Sequence, residues 1–334
     1  MKTYTNFSLK SYNTFGIDAK ARRFVDIEKE EDLLDIDDFP APRLCIGRGS
    51  NLLFTKDFDG TVIHCRMRTK NIVMEDTDSV LVEVGAGELW DDFVDYAVSH
   101  DWSGVENLSL IPGEVGSAAV QNIGAYGAEV KDVIAYVDYL DVLEGRFRRA
   151  YVEDLDYAYR SSRFKTEWKD RCIIYKVAFR LSKQFHPNLS YAALSSLLTP
   201  NSSLLTPYEV RKAVIDLRRQ KLPDPRQLGN AGSFFMNPVV PADVARRLLR
   251  HCPDMPHYPQ SDGQYEKLSA AWLIDQCGWK GRTLGRAGVY ADNALVLVNL
   301  GDATAADIVA LSIAIQHDVR QRYGIDIHPE VNFI

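Results

Sequence analysis

Gly47-Arg48-Gly49-Ser50-Asn51 directly follows the strand-like run Leu44-Cys45-Ile46, and this pairing limits the nucleotide-binding folds that the chain can adopt. Successive backbone N–H groups in such a turn can form a concave site for a phosphate. The glycine spacing of the Rossmann fold is absent, because Leu52 occupies the position of its third glycine, and the Walker A spacing is absent too. The loop therefore predicts either a nucleotide site on another fold or a tight turn without a ligand.

A second segment, residues 104–127, has small residues at short intervals and few charges. A loop of this length with so few charges is unusual on a protein surface. Its backbone amides could approach a diphosphate, and its apolar side chains could contact a flat ring. We therefore predict that this segment lines a ligand.

A single hydroxyl group stands out in the stretch Gly229-Asn230-Ala231-Gly232-Ser233-Phe234-Phe235-Met236-Asn237-Pro238. Glycine lets the backbone approach a ligand closely, and the two phenylalanines can shield the site from water. The stretch contains no histidine, so the pattern favours Ser233 as a proton donor over a nucleophile that attacks a carbonyl. The alternative is a glycine-rich turn before a strand.

Two further residues could handle negative charge. Arg160, in Tyr159-Arg160-Ser161-Ser162-Arg163-Phe164-Lys165, can hold a carboxylate with two N–H groups and stabilise a developing negative charge. The alternative for this segment is a solvated basic turn. Glu330, in His328-Pro329-Glu330-Val331-Asn332-Phe333, is either an acid–base group or an exposed charge at the edge of a strand.

The composition is that of an ordinary globular protein, with 46% hydrophobic and 25% charged residues. The length of 334 residues suggests two or three domains. The net charge of −7 argues against a general nucleic-acid binder, which normally carries basic stripes. The five cysteines are an odd number without CxxC spacing, which favours reduced thiols and no metal site. Because no signal-peptide core and no apolar run of ~18 residues is present, we expect a cytoplasmic protein without a membrane partner.

Hydrophobic periodicity predicts two α+β halves. In the first half, residues 1–185, strands are predicted at 24–27, 44–46, 61–63, 79–84, 133–143 and 172–181. Residues 184–206 are polar and rich in Ser and Pro, which is typical of a connector. In the second half, Thr206 and Thr304 cap helices whose apolar faces are Val210, Ala213, Val214 and Leu217, and Ile308, Leu311, Ile315 and Val319.

Together these segments resemble the UDP-N-acetylenolpyruvoylglucosamine reductase family, from residue 12 to residue 331. Five motifs occur in the family's order: Gly-x-Gly-Ser-Asn, Ile-Pro-Gly, Gln-Asn-Ile-Gly-Ala-Tyr-Gly, Tyr-Arg-x-Ser and Gly-Ser-Phe-Phe. The resemblance implies an α+β fold that begins with an FAD-binding domain of the p-cresol methylhydroxylase type at residues 1–185. A connector at 186–206 carries the substrate-gating Tyr191 of type I members, and a smaller α+β substrate-binding domain follows at 207–334.

The resemblance also implies a flavoenzyme of peptidoglycan precursor synthesis. NADPH would reduce non-covalently bound FAD and leave, and UDP-N-acetylglucosamine enolpyruvate would take its place. A hydride would pass from flavin N5 to C3 of the enolpyruvyl group and a proton to C2, which gives UDP-N-acetylmuramate. We expect a monomer that acts on this small molecule and has no nucleic-acid partner.

The functional positions of the family carry over residue by residue. Ser233 matches the proton donor to C2, and Arg160 and Glu330 match the residues that stabilise the enolate, for which Glu330 would have to be protonated. The positions that hold the UDP diphosphate are Tyr191, Lys221, Asn237 and, as a further candidate, Lys267, and no metal is implied. From the residues alone, Lys221 is instead a lysine that favours the dipole at a helix end. The FAD positions are Gly47, Arg48, Gly49, Ser50, Asn51, Leu52, Ile111, Pro112, Gly113, Gly116, Ser117, Gln121, Asn122, Gly124, Ala125, Tyr126 and Gly127.

Two features depart from the family pattern. Met236 stands where many relatives carry lysine, so one positive charge near the substrate is missing. Only Val331-Asn332-Phe333-Ile334 follow Glu330, and we therefore expect little to hold the final strand.

Two other functions remain open alternatives. The first is an oxidase of the same flavin superfamily, in which histidine or cysteine often binds the flavin covalently. His64 and Cys65 lie near the expected flavin domain, but no histidine or cysteine lies inside the loop Gly47–Asn51. The second is a non-catalytic nucleotide-binding protein. The presence of Arg160, Ser233 and Glu330 together disfavours it, because a binding protein needs no proton donor.

Overall fold

The computed structural model describes residues 1–198, 205–260 and 262–334. The chain divides into two compact units. The first unit consists of Met1–Phe7, Lys20–Gly49 and Phe58–Arg218, and the second consists of Ser8–Ala19, Ser50–Asp57 and Arg219–Ile334. The chain contains both strands and helices, which confirms the predicted α+β class. The part of the predicted connector at 199–204 lies outside the described residues.

The strands vary in length from two to eleven residues. They are β1 Lys2–Ser8, β2 Lys20–Ile27, β3 Arg43–Ile46, β4 Leu52–Leu53, β5 Phe58–Cys65, β6 Lys70–Glu75, β7 Ser79–Gly85, β8 Gly124–Ala125, β9 Ala128–Glu129, β10 Ile134–Asp141, β11 Arg146–Tyr151, β12 Cys172–Ser182, β13 Asn230–Ser233, β14 Val239–Pro241, β15 His257–Pro259, β16 Tyr265–Leu268, β17 Thr283–Leu284, β18 Ala287–Val289, β19 Val296–Asn299 and β20 Asn332–Phe333.

The α-helices are α1 Trp90–Ser99, α2 Val115–Gln121, α3 Ala192–Leu198, α4 Pro207–Lys221, α5 Ala242–His251, α6 Ala270–Gln276 and α7 Ala305–Tyr323. Across the described ranges, none of them combines the length and apolarity that crossing a bilayer requires.

Two sheets form the framework of the first unit. In one sheet, of order β1-β2-β5-β3, strands β2 and β3 run parallel to β5. The other sheet, of order β11-β10-β12-β7-β6, is antiparallel between each pair of neighbours. The strands that the sequence predicts in this half are confirmed as β2, β3, β5, β7, β10 and β12. Most of their apolar residues are buried on the sheets, whereas in β3 only Ile46 is buried.

Aromatic residues of α1 and β12 form the centre of the core of the first unit. Phe93 lies with its ring centroid 4.7 Å from that of Phe179, and Trp90 is fully buried. The indole Nε1 of Trp90 donates to the backbone oxygen of Leu108 over 2.8 Å. The core thereby fixes the start of the predicted ligand-lining segment.

Helix α4 belongs to the first unit as far as Arg218. Its predicted apolar face is confirmed, because those side chains are buried against Leu194, and Arg211 donates from Nη1 to Asp91 Oδ1 over 2.6 Å. The chain therefore passes from the first unit to the second after Arg218, near the end of α4, and not at the predicted domain boundary at residue 207. The domain bounds stay a prediction.

Helix α7 has the ends and the buried face that the sequence predicts. Thr304 Oγ1 accepts a hydrogen bond from the backbone N–H of Asp307 over 3.3 Å, and Gly324 ends the helix with φ +67°. The predicted apolar side chains are all fully buried. They pack in the core of the second unit, whose larger sheet has the order β13-β19-β18-β17.

The expectation that little holds the final strand is wrong. Strand β20 pairs in parallel with β4. The backbone N–H of Ile334 donates to Leu53 O over 3.0 Å, and that of Thr55 donates to Ile334 O over 2.8 Å. The partner strand comes from residues 50–57, about 280 positions earlier, and local sequence patterns do not reveal such a distant pairing.

Candidate active site

The first part of the predicted cofactor loop lies in the first unit. Gly49 is buried with φ +62°, a conformation that favours glycine. A Cβ atom on Gly47 would lie 3.1 Å from Glu114 Oε2 and 3.1 Å from Ser117 Oγ. The loop therefore packs against the start of α2, and there is little room for a side chain at position 47. Ser50, Asn51 and Leu52 belong to the second unit.

Helix α2 is packed tightly against the end of β7. A Cβ atom on Gly116 would lie 2.9 Å from that of Ala86, so only glycine permits this approach. The hydroxyl of Ser117 accepts from the backbone N–H of Glu114 over 3.2 Å and donates to Glu114 O over 2.8 Å. These contacts fix the backbone that follows Pro112-Gly113.

Strands β8 and β9 form a hairpin whose two turn residues, Tyr126 and Gly127, have φ +49° and φ +86°. Positive φ at both positions is typical of a type I′ turn, and for tyrosine it is uncommon. Asn122, also at positive φ, donates to Glu129 Oε2 over 3.0 Å and to Ala158 O over 2.9 Å. The hairpin and the residue Asn122 before it thus have backbone conformations that residues other than glycine rarely adopt. Such backbone strain is common at functional sites.

Arg160 lies beside this hairpin. Its Nη2 donates to Gly124 O over 2.6 Å, and its own φ of +55° is in the left-handed region. An antiparallel bridge between Ala158 and Ser161 spans the residue, and Lys165 Nζ donates to Arg160 O over 2.9 Å. Arg160 is therefore part of a fixed turn and not a solvated basic loop.

Tyr191 belongs to the same region of the first unit. Its ring contacts that of Tyr126 edge to face, with 5.0 Å between the centroids. Just before it, Asn188 Nδ2 donates to Gly127 O over 2.9 Å. The turn of the hairpin and the predicted gating tyrosine are thus connected by direct contacts.

Asn107 is a residue of this region that the sequence interpretation missed. Its Nδ2 donates to Tyr126 O over 2.8 Å and to Asn188 O over 2.9 Å, so one buried amide joins the hairpin to the Tyr191 segment. Its Oδ1 is buried and has no hydrogen-bond partner among the described residues. A single asparagine carries no periodic signal, so only the fold reveals its role.

Arg218 was also missed. Its Nε donates to Leu110 O over 3.2 Å. Burial lowers the pKa of its guanidinium, and the nearby charge of Arg160 lowers it further, although Tyr126 and Asp91 oppose this. The sequence did contain a signal for Arg218, because it follows the buried Arg211 and Val214 at helical spacing and therefore lies on the buried face of α4. Two arginines in one partly buried region favour an anionic ligand.

The segments that carry Ser233 and Glu330 are joined by backbone hydrogen bonds in the second unit. The backbone N–H of Glu330 donates to Phe234 O over 2.7 Å, and that of Met236 donates to His328 O over 2.9 Å. Phe235 and Pro329 form the antiparallel bridge between these hydrogen bonds. Ser233 ends β13 directly after Gly232, whose φ is +69°. Glu330 is half-buried, which does not fit the alternative of an exposed edge charge.

The predicted diphosphate-binding residues of the second unit lie on different elements. Lys221 is the last residue of α4 and is exposed. Asn237 Oδ1 accepts from the backbone N–H of Ala270 over 3.0 Å, which orients its amide. Lys267, on β16, lies with Nζ 5.8 Å from the ring centroid of Tyr258. Their contact with substrate stays a prediction.

Two family descriptions match the chain. The one described as "FAD binding domain" matches residues 23–151, and the one described as "UDP-N-acetylenolpyruvoylglucosamine reductase, C-terminal domain" matches residues 224–334. The first match lies mainly in the first unit, and the second match lies in the second unit.

Curated relatives match over nearly the whole chain. The UDP-N-acetylenolpyruvoylglucosamine reductase of Bacteroides fragilis is 50% identical over 98% of this chain and 99% of its own length. Those of Burkholderia vietnamiensis and Salmonella typhimurium are 47% and 46% identical over 96% and 98% of this chain and 94% and 95% of their own. Among solved structures, the UDP-N-acetylenolpyruvylglucosamine reductase of Thermus caldophilus has a TM-score of 0.70 at 24% identity, covers 99% of this chain and 98% of its own, and has the same fold.

Proposed function

The chain belongs to the UDP-N-acetylenolpyruvoylglucosamine reductase family, and we propose that it uses NADPH and FAD to reduce the enolpyruvyl group of UDP-N-acetylglucosamine enolpyruvate to the lactyl ether of UDP-N-acetylmuramate. As a member, it is an FAD-dependent oxidoreductase of peptidoglycan precursor synthesis. We also propose that the protein is a cytoplasmic monomer.

The residues of the first unit fit a bound FAD. Gly47 leaves a narrow space beside Glu114 and Ser117 that a Cβ atom would fill, and Gly49 and Gly113 have positive φ. Such backbone can approach a diphosphate closely. When bound, FAD would accept a hydride from NADPH and supply it to C3 of the enolpyruvyl group.

Arg160 would stabilise the negative charge that develops on C2 and the carboxylate of the substrate. Its guanidinium is oriented by Gly124 O, so little reorganisation is required when charge develops. Arg218 would add a second positive charge in the same unit.

Ser233 would donate the proton to C2. The observation that carries the proposal is its place directly before Phe234, whose backbone oxygen accepts a hydrogen bond from Glu330 N over 2.7 Å. A serine hydroxyl is a weak acid, so such a donor needs neighbours that relay or stabilise charge, and Glu330 would stabilise the enolate that the proton reaches. Phe234 and Phe235 are buried beside it and limit the access of water.

The charged linker of the substrate would be held by Tyr191, Lys221, Asn237 and Lys267. The net charge of the protein is −7, so local cations and amide donors have to supply the attraction for a diphosphate. The fixed amide of Asn237 can donate from Nδ2 because its Oδ1 is already occupied.

Anaerobic stopped-flow absorbance near 450 nm of the FAD-loaded protein tests the proposal. NADPH should bleach the flavin, and UDP-N-acetylglucosamine enolpyruvate should then restore the absorbance rapidly. Recovery only with oxygen would show an oxidase, and a protein that NADPH does not bleach would contradict the assigned reductant.

A further inference from the structure

Three titratable side chains form a buried cluster in the first unit: Asp26, His64 and Glu114. His64 Nδ1 lies 3.1 Å from Asp26 Oδ1, and Nε2 lies 3.1 Å from both Glu114 Oε1 and Oε2. Each of the three residues is at most 3% exposed. Asp26 on β2 and His64 on β5 are direct partners in the parallel pairing of these strands, and Glu114 precedes α2.

The two contacts of the His64 ring favour its imidazolium form. A neutral imidazole donates from one nitrogen only, whereas both nitrogens of His64 face carboxylate oxygens at hydrogen-bond distance. The imidazolium form satisfies both contacts. A neutral ring would direct a lone pair at one of the carboxylates, which is costly in a buried site.

The surrounding groups leave His64 as the counter-charge of Glu114. Arg66 Nη1 lies 3.3 Å from Asp26 Oδ2 and balances that carboxylate. On β5, burial raises the pKa of the Cys65 thiol to about 12, so it is neutral. Two uncharged side chains also lie in this region: the ring centroid of Phe24 is 6.2 Å from that of His64, and Ser117 follows Glu114 in the first turn of α2.

Glu114 lies against the cofactor loop. Its Oε2 would be 3.1 Å from a Cβ atom on Gly47, and its carboxylate accepts from the backbone N–H of Ser117. FAD carries a diphosphate with two negative charges. An unneutralised, buried carboxylate beside this loop would repel that group, since charges interact strongly where water is excluded.

We propose that His64, as the imidazolium, is a positioning residue that neutralises Glu114 and fixes it beside Gly47, so that the loop Gly47–Gly49 binds the diphosphate of FAD. This role rests on the FAD site of the proposed function. His64 need not contact the flavin, and the cluster acts through the position and charge of Glu114.

Titration of FAD into the FAD-depleted full-length protein tests this role, with flavin fluorescence as the readout. The variants are His64→Asn, Glu114→Gln and the double variant with both changes. Asp141→Asn is the matched control, because Asp141 is a buried, ion-paired carboxylate elsewhere in the same unit. Each Kd is measured under the same buffer conditions, and each apoprotein is melted to compare stability.

We expect His64→Asn to raise the Kd for FAD about tenfold or more, as for an uncompensated charge. The double variant should recover to within about threefold of wild type, because neither charge remains. Asp141→Asn should lower the melting temperature without changing the Kd.

Other results would overturn the role. A wild-type Kd in His64→Asn, or a double variant that binds as weakly as the single one, would make the cluster purely structural. If His64→Asn does not fold, the double variant decides: a Kd for FAD more than about tenfold above that of the wild type contradicts the proposal. Failure of the wild-type protein to bind FAD would overturn the FAD site as well, so the two failures are distinguishable.

Discussion

The guanidinium of Arg160 donates to the backbone oxygen of Gly124 over 2.6 Å, and the missing side chain of Gly124 makes this contact possible. A Cβ atom on Gly124 would lie 2.9 Å from Arg160 Nη1 and 3.0 Å from Ala128 O. Arg160 also has a left-handed backbone, which costs roughly 1–3 kcal/mol for a residue other than glycine. The absence of a side chain at Gly124 and the left-handed backbone of Arg160 together hold the guanidinium beside the hairpin of β8 and β9.

Replacing Arg160 by lysine tests the role of the planar guanidinium. Lysine keeps the charge but cannot donate with two parallel N–H groups. We expect flavin reoxidation by the enolpyruvyl substrate to slow by ~10²–10³, while flavin reduction by NADPH stays near the wild-type rate. Arg163→Lys is the control, because Arg163 pairs with Glu167 in the same turn. Equal slowing of both half-reactions would contradict this role.

Gly124→Ala tests the same contact from the other side. The new methyl group has to displace Arg160 or the backbone of Ala128, so we expect the substrate half-reaction to slow about tenfold or more without loss of the guanidinium itself. Gly288→Ala is a suitable control, because a Cβ there meets first the ends of the Leu300 and Thr283 side chains. Stopped-flow traces of both variants decide, and an unchanged rate in Gly124→Ala would show that the contact does not orient Arg160.

Ser233→Ala removes the proposed proton donor. Reduction of the flavin by NADPH should stay near normal, while reoxidation by the enolpyruvyl substrate should slow by ~10²–10⁴, the usual effect of losing a well-placed acid. Ser312→Ala serves as control, since Ser312 is a buried serine of α7 that donates to Val309 O. A small effect on the substrate half-reaction would remove Ser233 from this role.

Local elements could be predicted from the sequence, and long-range pairings could not. The cap at Thr304, the buried face of α7 and the end at Gly324 depend on residues within one helix. In contrast, β4 and β20 pair across about 280 positions, and no local pattern encodes that contact.

The candidate site shows the same division. The glycine-rich loops and Arg160 could be found because their residue types suggest phosphate and carboxylate binding. Asn107 and the pairing of His64 with Glu114 depend on residues that only the fold brings together. The local sequence around each of these polar residues does not indicate a function. In the fold each is buried, and a buried polar group needs a hydrogen-bond partner.

Lys221→Ala distinguishes substrate binding from a helix-end contribution. If Lys221 binds the UDP diphosphate, the KM for the enolpyruvyl substrate should rise about tenfold, with little change in kcat. Lys212→Ala is the control, because Lys212 is an exposed lysine of the same helix. Steady-state kinetics decide, and an unchanged KM with a lower melting temperature would assign Lys221 to the helix dipole.

Asp141 and Arg171 should make the stability of the first unit depend on pH. Arg171 donates to Asp141 Oδ2 from Nε over 2.9 Å and from Nη2 over 2.5 Å, and this hydrogen bonding lowers the pKa of the buried carboxyl. A lowered folded pKa means that the stabilisation is complete above the unfolded value of about 3.9 and is lost as the pH falls through the folded pKa.

Asp141→Asn should therefore reduce the free energy of unfolding by about 2 kcal/mol at pH 7. The difference from wild type should shrink below about pH 4, because the wild-type carboxyl becomes neutral as well. Asp59→Asn is the control. The side chains of Asp59 and Arg22 are 89% and 64% exposed, so their ion pair should contribute little to the free energy of unfolding. Urea unfolding followed by tryptophan fluorescence measures the free energy of unfolding of both variants. A loss in Asp141→Asn that is the same at about pH 7 and below about pH 4 would contradict the linkage.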